Sequence, residues 1–253
     1  STSPMISARG KERQALYDEI FGSFPAFHGK HVSRSARDAA GLSASTLVYG
    51  EIEYASFYLT LEKISSRLGS EHGVMAEPQN DVFYDLGSGV GKPTIAAALS
   101  FPFGRCVGLE VLQPLVDASR EAQLVYETKR PADGADVEFY CADITDLDAY
   151  DWSDGTVVFA NSTCFDERLM SKLADLAERL RPGAFVVTLT RRLPSPLFHV
   201  DDSKLYQMSW GGATVVIQHR LHDADVLPRL DGAFADLRLG PRRTDAEAAA
   251  ALS

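Results

Sequence analysis

From Val82 onward the chain alternates short runs of β-branched and aromatic residues with longer segments of helical periodicity, and this alternation restricts the fold more than any other feature. VFYDLG, RCVGLE, VEFYCADI, TVVFANS and AFVVTLTRRL read as five successive strands. KPTIAAALS, QPLVDASREAQLVYETKR and DERLMSKLADLAERLRPG read as the intervening helices. The second places Leu115, Ala118, Ala122 and Val125 on one face and closes in Lys129 and Arg130, while the third opens in acids and stops at Arg181, Pro182 and Gly183. Strand and helix in this order predict a mostly parallel sheet with helices on both faces. KLYQMSW and ATVVIQHR, joined through Gly211 and Gly212, predict a closing antiparallel hairpin with its turn at the glycines.

Three regions follow from the pattern: a helical lead-in over residues 1–46, the sheet domain over 47–220, and a tail over 221–253. In the lead-in, Leu16, Ile20 and Phe24 recur at helical spacing; in YGEIEYASFYLTLEKISSRL, so do Ile52, Phe57, Leu61, Ile64 and Leu68. GSEHGVMAEPQN reads as a loop.

Charge and composition narrow the functional classes. Among 253 residues, 25 Lys and Arg face 35 Asp and Glu, a net charge of −10 that argues against gripping a phosphate backbone by bulk electrostatics. Weak or indirect nucleic-acid contact is the most this balance allows, and the early basic residues Arg9, Lys11, Arg13, Arg34 and Arg37 read as a solvated arm. The 3 cysteines form no CxxC pair, and the 6 histidines fall in no HxxxH or HExxH spacing, so no metal is expected. No apolar run approaches the roughly 18 residues of a membrane span, and STSPMISARG lacks the form of a secretory signal. The expected setting is intracellular and away from membranes: nuclear for a histone substrate, cytoplasmic otherwise.

The chemistry concentrates at the ends of the first strands. DLGSGVG spans Asp85 to Gly91 between the first strand and its helix, where ligands meet open α/β sheets. Its glycines fall at 87, 89 and 91, with Ser88 between them; a dinucleotide fingerprint would need glycine at 92, which is Lys92. Asp85, acceptor-only when ionised, suits a ligand ammonium better than a diphosphate. Glu110 ends the second strand, placed to accept both hydroxyls of a ribose. Asp143 follows the third strand, placed to accept from an exocyclic amine; capping of the turn ITDLDAY is its plainer role. Acceptors for an ammonium, a ribose and an amine, in strand order, describe S-adenosylmethionine.

These residues resemble class I S-adenosylmethionine-dependent methyltransferases, and more narrowly the disruptor-of-telomeric-silencing family of histone-lysine methyltransferases. VYGEIEYASFYLTLEKI, VFYDLGSGVGK and VVFANSTCF carry the likeness, which spans about Leu47 to Arg220. The resemblance implies a Rossmann-like sheet of seven strands. It also implies that Tyr49, Gly50 and Glu51 cover the methionine end of the cofactor. At the fourth strand Asn161 and Phe165 match the family pattern, whereas Ser162 and Thr163 depart from it, as do Lys92, where Gln is usual, and Ile52, where Thr is usual.

Methyl transfer needs alignment and a neutral nucleophile more than covalent help. Tyr49 and Phe165 are the candidates for an aromatic wall around a lysine ammonium, and Asn161 for a polar anchor near the methyl group. Core packing is the plainer role for both aromatics. Arg191 and Arg192, after the fifth strand, could position substrate or solvate a strand end. The expected acceptor is an accessible lysine on a protein, with histone among the candidates; a small-molecule methyltransferase and a non-catalytic cofactor-binding scaffold are the alternatives on the same fold.

Overall fold

A computed structural model describes residues 6–22, 52–208, 211–222 and 224–226. The elements are α1 (Ala8–Phe21), α2 (Tyr54–Lys63), α3 (Gly69–His72), β1 (Val82–Leu86), α4 (Lys92–Ser100), β2 (Arg105–Glu110), α5 (Gln113–Lys129), β3 (Asp136–Cys141), β4 (Val157–Ala160), α6 (Glu167–Ala177), β5 (Phe185–Leu189), β6 (Phe198–Met208) and β7 (Gly211–Arg220). A five-residue π-helical segment, Ile64–Leu68, joins α2 to α3.

The strands form one seven-stranded sheet in the order β3-β2-β1-β4-β5-β7-β6. Pairing is parallel from β3 through β5, and β7 runs antiparallel to both β5 and β6. Successive side chains on a strand point to opposite faces. Phe83, Cys106, Val157, Phe159, Phe185 and Val187 therefore build one core with α1, α2, α4 and α5. Tyr84, Leu86, Val107, Leu109, Val158 and Val186 build the other with α6 and the fully buried Trp152. On α6, Met170, Leu173, Ala174 and Ala177 are buried at helical spacing, and Asp166 caps the helix by accepting from the Leu169 N–H at 2.8 Å.

Several boundaries differ from the sequence reading, for local reasons. Ile52 makes an isolated antiparallel bridge to Met208 and precedes α2. GSEHGVMAEPQN begins with the turn α3, closed by Gly73 at φ 65°. Helix α6 ends at Ala177, short of Arg181. Strand β6 starts at Phe198, because the polar run before Lys204 pairs along β7. Gly211 and Gly212 lie within β7, with Met208 opposite Gly211, and are not themselves the turn; Ser209 and Trp210 lie outside the described residues, as does Phe24.

The lead-in helix shares the domain's core. Ile20 and Phe21 are buried in the first cluster, and Arg9 and Arg13 reach Asp133 at 2.6 and 2.9 Å. Arg13 is thus buried in an ion pair to the turn before β3, while Arg9 makes its ion pair from an exposed position and Lys11 is exposed, as a solvated face would have them; Arg34 and Arg37 lie outside the described residues. Among the described residues, no helix is long and apolar enough to cross a membrane.

Candidate functional site

The parallel strands deliver their carboxyl ends to one edge of the sheet, and the loop after β1 wraps around that edge. The Gly87 and Ser88 N–H groups both donate to the Leu109 carbonyl at the end of β2, at 2.8 and 3.0 Å. Two glycines in this loop have different reasons. Gly91, at φ 83°, caps α4, and a Cβ there would stand 2.4 Å from Phe139. Gly108 in β2 faces the same ring, and a Cβ on it would come within 2.5 Å, so Phe139 occupies space that both glycines vacate. Gly87, at φ 81°, has nothing within 4 Å of a Cβ, and its open side is where a ligand can approach the backbone.

Asp85 is 1% exposed. Its Oδ2 accepts from Thr94 Oγ1 at 2.8 Å, while Oδ1 is buried without a hydrogen-bond partner. Burial pushes its carboxyl up to about 7, against the hydrogen bonds from Thr94 and with a smaller push from Glu110. A buried acceptor without a donor is costly, and a ligand ammonium would relieve that cost.

Glu110 holds the loop from the other side: Oε2 accepts from the Gly89 N–H and Oε1 from the Leu112 N–H, both at 3.0 Å. Burial raises its pKa and these backbone donors pull it back. Each oxygen retains a second lone pair for a ligand hydroxyl. Lys92 begins α4 with its ammonium 5.7 Å from the Phe21 ring centroid, which brings the end of α1 to the loop.

Asp143 fulfils its plainer role. Oδ1 accepts from both the N–H and the Oγ1 of Thr145, at 2.8 and 2.9 Å, while Oδ2 accepts from no described residue. At the end of β4, Asn161 Oδ1 accepts from Thr163 Oγ1 at 3.2 Å. Ser162 is fully buried; its hydroxyl donates to the Leu189 carbonyl at 2.7 Å and accepts from the Leu189 N–H at 3.1 Å, tying β4 to β5. Phe165 is half-buried against the second core. Arg191 and Arg192 are exposed just beyond β5, after Thr190 at φ 70°.

The fold therefore brings Asp85, Gly87, Ser88, Gly89, Gly91, Lys92 and Glu110 to one strand edge, with Asp143, Asn161 and Phe165 beyond the neighbouring strands. Tyr49, Gly50 and Glu51 lie outside the described residues. Sequence reasoning missed Thr94 and Phe139, and met Ser162 only as a departure from the family pattern. An i+9 hydroxyl and a strand aromatic carry no motif.

Both features of the loop, the orphaned Asp85 oxygen and the open face of Gly87, fit S-adenosylmethionine. This sheet order, with the acids and glycine loop at its edge, defines a class I S-adenosylmethionine-dependent methyltransferase. The family described as "Histone methylation protein DOT1" matches residues 42–209, and the chain belongs to it.

The chain is similar to solved structures. TrmN from Thermus thermophilus is 19% identical at a TM-score of 0.50, covering 75% of this chain and 53% of its own, so the chain spans about half the length of that protein. Magnesium protoporphyrin IX methyltransferase (ChlM) from Synechocystis PCC 6803, with bound SAM, is 12% identical at a TM-score of 0.47, covering 87% of this chain and 100% of its own. No curated protein matches the chain.

Proposed function

We propose that this methyltransferase methylates a lysine side chain of a protein, with histone the first substrate to test. Membership of a family described as histone methylation proteins carries the reading, over a match that includes the YGE segment upstream of the cofactor loop.

S-adenosylmethionine, when bound, supplies a methyl group on a sulfonium that an amine nitrogen can displace in line. The chain's own residues bind and align. Asp85 Oδ1, buried without a partner, would accept from the methionine ammonium. Glu110 would accept from the ribose hydroxyls with the lone pairs its backbone donors leave, and Asp143 Oδ2 would accept from the adenine amine. Gly87, Ser88 and Gly89 would let the backbone close on the ligand, Gly91 would keep the loop against Phe139, Lys92 would flank the ligand at the start of α4, and the family resemblance assigns Tyr49 and Glu51 to its methionine end.

Asn161 anchors the acceptor beside the methyl group. A lysine must arrive neutral, although its reference pKa is about 10.4, so Tyr49 and Phe165 serve as an apolar wall that strips water from the amine and tolerates the cation. The net charge of −10 suits a basic protein surface as partner and leaves little for direct contact with DNA.

The test is incubation with labelled S-adenosylmethionine and, separately, core histones, nucleosomes and total RNA. Label on a histone lysine is expected. Label on RNA or on a small molecule, with none on any protein lysine, overturns the reading.

A further inference from the structure

The six histidines are scattered in the sequence, yet the fold collects three of them, with an aspartate, at the sheet end remote from the cofactor loop. His219 on β7 pairs with Phe185, the first residue of β5, whereas the cofactor edge is at the other end of that strand. Its Nδ1 lies 2.9 and 2.8 Å from the two carboxylate oxygens of Asp201. The His72 ring stacks on the His219 ring, with centroids 4.0 Å apart, and meets Phe185 edge-on. His199, the cross-strand partner of His219, stands at its rim at 5.4 Å.

Three local irregularities converge to make this arrangement. The π-helical segment Ile64–Leu68 resets the helix phase before His72, and such segments are frequent at functional sites. Asp201 is the extra residue at the β6 bulge between Val200 and Asp202, and bulges re-aim side chains. Gly183 is left-handed at φ 85°, and a Cβ there would come within 2.8 Å of the His72 carbonyl, so glycine lets α3 seat against the start of β5.

We propose that His72, Asp201 and His219 form a binding site for a zinc-class divalent transition metal ion that staples α3 to the β6–β7 hairpin. One ligand atom from each residue already lies within 4.8 Å of the others. Metal bonds of about 2.0–2.2 Å hold tetrahedral ligand atoms roughly 3.2–3.6 Å apart, so the widest gap must close by about 1 Å. His72 can supply that movement by turning out of the stack so that an in-plane lone pair faces the ion: it is half-buried, and neither ring nitrogen hydrogen-bonds a described residue.

Two imidazoles and a carboxylate are the ligand types such ions prefer, with water in the fourth position. A metal at Nδ1 takes the place of the hydrogen bond between that nitrogen and Asp201, and the imidazole, neutral as a ligand, keeps its single ring proton on Nε2. The site is independent of the lysine reading.

The test uses untagged full chain stripped with chelator and titrated with Zn²⁺ by calorimetry and with Co²⁺ by visible absorption. One equivalent of Zn²⁺, tetrahedral Co²⁺ bands and a raised Tm are expected. His72→Ala, at a half-buried position, should weaken Zn²⁺ binding at least about tenfold, and Asp201→Asn likewise, while both variants keep S-adenosylmethionine binding as evidence of folding. Absence of stoichiometric binding in the wild-type chain, or binding unchanged in both variants, overturns the proposal.

Discussion

Thr94 donates to one carboxylate oxygen of Asp85 at 2.8 Å and leaves the other buried and unpaired. The first turn of α4 thus orients an acid whose second oxygen has no partner among the described residues.

The raised Asp85 carboxyl makes cofactor affinity depend on pH. Only the ionised form attracts an ammonium, so affinity should fall as pH drops through about 7 and level off above it. Calorimetry between pH 5.5 and 8.5, with buffer ionisation corrected, checks this; a flat profile in that range removes Asp85 from the ammonium site.

The same shift runs against stability in the ligand-free protein. A folded-state pKa above the unfolded 3.8 means the folded chain holds the extra proton, so this group's contribution weakens as pH rises from about 4 to about 7. Asp85→Asn keeps an acceptor for Thr94 and removes the buried charge. It should stabilise the ligand-free protein at pH 8 by roughly 1–3 kcal/mol while abolishing cofactor binding. Thermal unfolding with and without S-adenosylhomocysteine measures both.

Glu110→Ala should weaken S-adenosylmethionine binding by roughly 2 kcal/mol or more. It also orphans the Gly89 and Leu112 N–H groups, so Tm should drop as well. Unchanged affinity by calorimetry would overturn the ribose assignment.

Gly91→Ala and Gly87→Ala separate two uses of glycine in one loop. The first drives a methyl into Phe139 and should cost stability, about 1–3 kcal/mol for the clash plus 1–2 for the left-handed backbone. The second meets only open space, so it should carry the backbone cost alone yet impair cofactor binding more per unit of stability lost. Adding Phe139→Leu to Gly91→Ala should restore part of the Tm and leave Gly87→Ala unaffected.

Asn161→Ala should keep cofactor binding and lower methyl transfer about a hundredfold, as a misaligned acceptor does. Ser162→Ala, one residue on, should instead lower stability by roughly 1–3 kcal/mol, because the buried Leu189 N–H loses its acceptor. If the two variants behave alike, Asn161 is structural.

Much of this was readable locally. The β1 run VFYDL and the helix KPTIAAALS are set by residues a few positions apart and formed where their patterns predict, and α6 opens at its acids although it stops short of Arg181. Boundaries failed where a partner distant in sequence decides them: Ile52 bridges Met208, and β6 extends over a polar run because β7 offers it hydrogen bonds.

The sequence by itself determined the alternation of elements, the glycine loop, and the acids at the strand ends, because β-branching, helical periodicity and left-handed glycine are properties of neighbouring residues. Only the tertiary structure decided that Asp85 has an unpaired oxygen, that Asp143 spends one oxygen on its own turn, that Arg9 and Arg13 are held by Asp133, and that His72 meets Asp201 and His219. Those facts depend on burial and on contacts between segments far apart in the chain. Spacing along the chain carries no record of either.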